Sequence, residues 1–337
     1  MSFRQKAIVL GSVFVGLLVV LLYGTVISPP GAAQRRSEAP LFPRVKTGLA
    51  QRIEIADASS RILLVRSGGW TIDSTGTAYP ASQSRVEGLL KEVAALARGT
   101  LVTRDPKTAD SLGLSSKEAK RLVLSGAKGE ALCELSIGRS GVGGRGFYLK
   151  PGTGTEVFQT GEELSSYLST ERRTWADLRI LPSDINAEAV MRLSIASTLA
   201  LPGAAGAKGA LRIDYTLLRE KSAAGAFTWS LSPGAVGASG AVGASGAVDQ
   251  QKADSLVRSV LALEGADFLD GEDRARASLA SPAALVTVSL TDDRTFVIQF
   301  GTKASGDQYP CALSGGSLAY LVPEWRLEGI LKPKENL

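Results

Sequence analysis

The stretch RILLVRSGGWTI, Arg61–Ile72, opens on a strand-like apolar run and passes through Gly69-Trp70-Thr71-Ile72. It leads to a segment whose apolar residues Val86, Leu89, Leu90, Val93 and Leu96 recur at helical spacing. Strand-like runs follow at Arg121–Leu124, Leu132–Ile137, Gly146–Lys150 and Thr155–Gln159, with a closing helix at Glu162–Leu168. The same order returns downstream. Leu211–Leu218 and Phe227–Leu231 read as leading strands, and Ala253, Leu256, Val257, Val260 and Leu261 mark a helix. Strands at Leu285–Leu290, Thr295–Phe300, Tyr309–Leu313 and Leu318–Val322 precede a short helix at Glu324–Ile330. Landmark pairs set the register: Trp70 with Trp229, Leu112 with Leu279, Gly138 with Gly301 and Tyr148 with Tyr309 lie 159, 167, 163 and 161 residues apart. So narrow a range of separations predicts a tandem duplication. Two unrelated α+β stretches sharing common landmarks are the alternative.

The predicted fold class is therefore α+β: an N-terminal transmembrane helix, then two similar units with mainly antiparallel sheets. The first unit is expected over residues 51–180, a connector over 181–209 and the second unit over 210–337. Within the connector, Ser183 or Asp184 is expected to cap a short helical turn. Between the Trp229 strand and its helix, residues 234–248 repeat the hexapeptide GAVGAS, which reads as an expanded surface loop or as a contact loop for a membrane partner.

At 337 residues, 44% hydrophobic and 21% charged, the chain is neither disordered nor collagenous. It has no histidine and only two cysteines, Cys133 and Cys311, which removes histidine acid–base chemistry and the usual His- or Cys-ligated metal sites. Both cysteines lie in strand-like runs and are expected to be buried free thiols. The net charge of +5 arises within residues 1–46, from Arg4, Lys6, Arg35, Arg36, Arg44 and Lys46 against Glu38. No nucleic-acid partner is expected, because that surplus flanks an apolar segment instead of covering a folded domain.

The apolar segment is AIVLGSVFVGLLVVLLYGTVI, Ala7–Ile27, uncharged and long enough to cross a hydrocarbon core of about 30 Å as a helix. A cleaved signal peptide would have a shorter apolar run and a better small-residue site than Gly31-Ala32-Ala33. We read residues 7–27 as an uncleaved signal-anchor, residues 1–6 as a cytoplasmic stub and 28–50 as a spacer. The cations on the two sides do not decide the orientation. A six-residue stub beside a long body places the body outside the cytoplasm of a bacterial inner membrane.

Candidate chemical motifs read as structure. Gly141–Gly146 fits G-x-G-x-x-G, but a strand-like run follows where a dinucleotide site needs a helix. Ser125 and Lys128 fit S-x-x-K, yet Lys46-Thr47-Gly48 precedes them and no S-D-N exists. Arg172 and Arg173 could hold an anion, but Glu171 and Asp177 flank them. The acidic run Asp267–Asp273 lacks the alternating spacing of a calcium loop, and Asp292-Asp293 and Glu162-Glu163 read as a turn and a helix start. No catalytic, cofactor-binding or metal residue is assigned, and no cofactor is expected. Trp70 and Trp229 are expected to be equivalent core positions.

Laid out in this order, the chain resembles a bacterial family known as domain of unknown function 4340. The residues that carry the resemblance are Gly69-Trp70-Thr71-Ile72, Val86-Glu87-Gly88-Leu89-Leu90 with Val93 and Leu96, Ser111-Leu112-Gly113-Leu114, Leu135-Ser136-Ile137-Gly138, Gly146-Phe147-Tyr148-Leu149, Val157-Phe158, Arg172-Arg173-Thr174-Trp175 and Asp184-Ile185. They span Arg61–Ile195, with a weaker echo in the second unit. The resemblance implies a membrane-anchored protein working beside ABC transporters similar to the gliding-motility type, with permease and ATPase subunits as partners. The expected function is thus a non-catalytic accessory subunit. The alternatives are an envelope-binding module holding a glycan or lipid between the two units, and, behind that, a hydrolase using carboxylates alone.

Overall fold

A computed structural model describes residues 38–42, 46–74, 76–141, 144, 146–152, 154–160, 164–199, 212–221, 227–233, 248–270, 278–304 and 306–337. The segment Ala7–Ile27 and nearly all of the hexapeptide loop lie outside the described residues, as do Glu162 and Glu163. Among the described residues no helix is long and apolar enough to cross a membrane. The fold is α+β, built on two mainly antiparallel sheets of nine and eight strands, and the chain divides into compact units between Trp175 and Ala176.

In the first unit, strands β1 (Arg52–Ala56), β2 (Arg61–Arg66), β3 (Trp70–Ser74) and β4 (Thr77–Pro80) lead to helix α1 (Gln83–Ala95). Strand β5 (Thr100–Thr103), a short helix α2 (Pro106–Ala109) and a five-residue turn at Asp110–Leu114 follow. Strands β6 (Lys120–Ser125), β7 (Ala131–Ser140), β8 (Phe147–Pro151) and β9 (Val157–Thr160) and a short helix α3 (Arg172–Trp175) complete it. The sheet order is β4-β3-β2-β1-β6-β7-β8-β9-β5. Ile53, Ile55, Ile62, Leu64, Leu122, Leu124, Leu135 and Ile137 alternate along the central strands and form the buried face, as a half-buried sheet requires. Val86, Leu89, Leu90 and Val93 form the buried stripe of α1, each such side chain contributing roughly 1.5–3 kcal/mol.

The second unit comprises β10 (Val190–Ser197), β11 (Ile213–Lys221), β12 (Phe227–Pro233), α4 (Gln250–Leu261), β13 (Asp267–Phe268), β14 (Ala284–Leu290), β15 (Thr295–Phe300), β16 (Gln308–Leu313), β17 (Ala319–Pro323) and α5 (Glu324–Ile330). Its sheet order is β12-β11-β10-β14-β15-β16-β17-β13. With the edge strand β4 left aside, the two orders correspond strand for strand.

Several sequence expectations need correction. Val190–Ser197, read as connector, is the strand β10, paired with both β11 and β14. Its apolar alternation is broken where the register shifts between Val190 and Arg192. The turn at Ala187–Ala189 is capped by Asn186, whose Oδ1 accepts from the Glu188 amide at 3.1 Å, not by Ser183 or Asp184. Part of the spacer is docked: Leu41 is buried, and its amide donates to the Leu96 carbonyl at 2.8 Å. The described part of the closing helix is a 3-10 turn at Ser165–Tyr167. The ladders also shift one landmark. Leu149 faces Phe158 as Cys311 faces Tyr320, so the counterpart of Tyr309 is Phe147, not Tyr148.

Candidate functional site

The two tryptophans predicted to be equivalent sit in equivalent knots. Trp70 opens β3 and is buried; its amide donates to Gln83 Oε1 at 2.9 Å while Gln83 Nε2 donates to its carbonyl at 3.0 Å. Trp229 and Gln250 repeat this clamp at 2.6 and 2.9 Å. Each glutamine also donates to a residue just before its helix, Ala81 or Val248. Arg66 lies 5.9 Å over the Trp70 ring, and Arg219 lies 5.6 Å over Trp229. These are packing devices, in which a polar side chain satisfies backbone groups that strand and helix ends leave open. Neither glutamine was foreseen. They lie 167 residues apart, the separation of Leu112 and Leu279, and that offset could have found them.

Leu112 and Leu279 are also matched. Leu112 packs on a cluster of Ala109, Leu114, Tyr148 and Val157, and Leu279 on Leu269, Ala312 and Ala319.

The remaining candidates disperse into local structure. Gly141 and Gly146 close the β7–β8 hairpin through a 3.0 Å backbone bond, and the strand β8 follows where a dinucleotide site needs a helix. Ser125 ends β6, and the Lys128 amide donates to Glu130 Oε2 at 2.9 Å within the same turn. Arg172 lies 4.9 Å over Tyr79, whereas Arg173 pairs with Glu171 at 2.9 Å, so the two guanidiniums go to different partners. Asp292 lies in the β14–β15 turn, where Arg294 bridges it to Asp184; hydrogen bonds from that guanidinium hold both carboxyls below their usual range. Asp267 belongs to β13, and Gly271, Glu272 and Asp273 of its acidic run lie outside the described residues. Among the described residues no three His, Cys, Asp or Glu side chains gather as a metal site.

Cys133 in β7 and Cys311 in β16 are buried free thiols. Burial pushes Cys133 up to about 12, with the Glu134 charge adding to it, and raises Cys311 well above the usual thiol range. Neither is poised as a nucleophile.

What remains is the covering of the two helices. In the first unit the Arg85 guanidinium on α1 packs 5.4 Å from the Tyr167 ring and 5.2 Å from Trp175. It donates to the Ser166 carbonyl, and its buried Nε has no hydrogen-bond partner. A Cβ on Gly88, one turn on, would stand 2.6 Å from the Tyr167 hydroxyl, so glycine makes room for the ring. Trp175 closes the arrangement: its carbonyl accepts from the Ser82 amide at 2.7 Å and its Nε1 donates to the Ser169 carbonyl at 2.8 Å. In the second unit the matching part of α4 borders an open groove of about 590 Å³ between α4, α5 and the segment after it. Asp249, Lys252, Ser255, Glu328, Leu331 and Lys332 are among its lining residues.

A pair of like-ordered antiparallel sheets, each with one helix clamped to a strand by a glutamine, defines a two-unit α+β protein. The chain matches the family described as Domain of unknown function (DUF4340) over residues 70–282, and it belongs to that family. No curated protein and no solved structure matches it.

Proposed function

We propose that the protein is a membrane-anchored, non-catalytic accessory subunit whose body stands outside the cytoplasm and attaches to a membrane complex. The family resemblance points to a gliding-motility-type ABC transporter as that complex. The observation that carries the reading is the 21-residue uncharged segment Ala7–Ile27, flanked by the whole cationic surplus of the chain. The non-catalytic part is supported by where the candidate residues go: onto ring faces, into ion pairs and into turns. Purification of the full-length protein in mild detergent, with mass spectrometry of what accompanies it, tests the reading. Recovery of a permease and an ATPase in fixed proportion is expected. Recovery of the protein alone would turn attention to a glycan or lipid of the envelope. Protease added to intact spheroplasts should digest the body; full protection would reverse the orientation.

A further inference from the structure

Helices α1 and α4 correspond residue for residue along their buried stripes: Val86, Leu89, Leu90 and Val93 stand where Ala253, Leu256, Val257 and Val260 do, each pair 167 residues apart. By the same offset Lys252 occupies the place of Arg85, and Ser255 that of Gly88. Over α1 this place is filled by the chain itself, which lays Tyr167 and Trp175 against the Arg85 cation. Over α4 no aromatic ring among the described residues lines it, and both Lys252 and Ser255 line the groove.

We propose that the α4 groove is a docking site for a segment of a partner polypeptide that inserts an aromatic side chain against Lys252, as Tyr167 and Trp175 lie against Arg85. The chemistry of the groove supports this occupant. The ammonium groups of Lys252 and Lys332 have no ion pair among the described residues, and a Trp or Tyr face attracts such a cation once water is displaced. Leu331 is buried and gives the groove an apolar floor. Ser255 turns its hydroxyl back to the Gln251 carbonyl at 2.7 Å and so leaves the groove unfilled. The carboxylates of Asp249 and Glu328 share the lining with the lysines, which disfavours a phosphate or an acidic headgroup and suits a peptide with both donors and acceptors. The volume of about 590 Å³ lies within the usual range of roughly 300–1,000 Å³ for a ligand pocket and suits one large ring with its flanking backbone. The proposal goes beyond the anchoring role and holds whatever membrane complex the protein attends.

The chain supplies its own probe, a fluorescein-labelled peptide of residues 164–175, the segment that covers α1. Fluorescence anisotropy with the full-length protein in detergent micelles should show saturable binding. Ser255→Trp, which fills the groove, and Lys252→Glu should each weaken it roughly tenfold, as should a peptide carrying Tyr167→Ala and Trp175→Ala. Circular dichroism of both protein variants should match the parent, since both positions are exposed on α4. No saturable binding up to about 1 mM peptide would overturn the proposal. So would equal binding by the ring-less peptide, which would mean contact by charge alone, or binding indifferent to both Ser255→Trp and Lys252→Glu. None of these readings depends on co-purification of a transporter, so the two proposals stand or fall separately.

Discussion

At Gly138 the backbone of β7 runs so close to the turn before β6 that a Cβ would sit 2.4 Å from the Leu112 carbonyl oxygen. The next neighbours are the Gly113 backbone and the buried Leu114 side chain, so none of the three can yield cheaply. Gly138→Ala should cost about 1–3 kcal/mol, read as a lowered urea midpoint at unchanged slope. Gln83→Ala should cost about 2–3 kcal/mol, because three hydrogen bonds to backbone groups are lost together, and Gln250→Ala should cost a similar amount. A loss below about 0.5 kcal/mol in both would show the clamps to be ornamental. Sequence made some of these residues visible and not others. Trp70, Trp229, Leu112 and Gly138 stand out as landmarks by type and spacing. That Leu112 and Gly138 touch each other is invisible, since contact across a turn and a strand leaves no periodic trace. The glutamines were hidden because a polar residue at a helix start resembles ordinary surface.

Elements with strong internal rhythm were the legible ones. Thr295–Phe300 and Glu324–Ile330 were read to the residue, and the stripe of α1 was read at each buried position. The first strand, β1, offers only Ile53 and Ile55 as an apolar alternation, and β5 is largely exposed, so neither produced a signal. β10 was lost to its register shift, although it is an interior strand with a partner on each side. Strands β7 and β16 carry the two buried thiols, and these make stability depend on pH with a definite sign. A raised folded-state pKa means that the thiolate is disfavoured in the native protein. The unfolded chain begins to release these protons near pH 8.5 while the folded chain holds them, so stability is intact below that and falls as pH rises. The loss should approach about 1.4 kcal/mol per pH unit for each thiol. Urea titrations at neutral and alkaline pH check it, and a Cys133→Ala, Cys311→Ala variant should show a flatter profile. Native protein should also resist a thiol reagent until it is unfolded.

For the molecule as a whole, the net charge and the longest uncharged apolar run both lie in the first 46 residues, while the remainder is charge-balanced. Removing residues 1–27 should therefore release a folded body into solution, checked by its elution volume and far-ultraviolet circular dichroism. Aggregation would mean that the body depends on a membrane or a partner. The two-unit plan was legible because landmarks recurred at nearly fixed separations, and the groove over α4 was not, because its lining joins residues at the start of one helix with residues far downstream that no shared period links. The paired glutamines carry one more consequence. Trp70 and Gln83 are 13 residues apart, Trp229 and Gln250 are 21, and both pairs close with the same bonds. The strand and the helix are thus buckled together independently of how much chain runs between them, and lengthening that chain costs only a slowly growing closure entropy. An epitope or a fluorophore-bearing insert placed between Pro233 and Val248 should leave both sheets undisturbed, which makes this junction the natural handle for watching the protein at work in a cell.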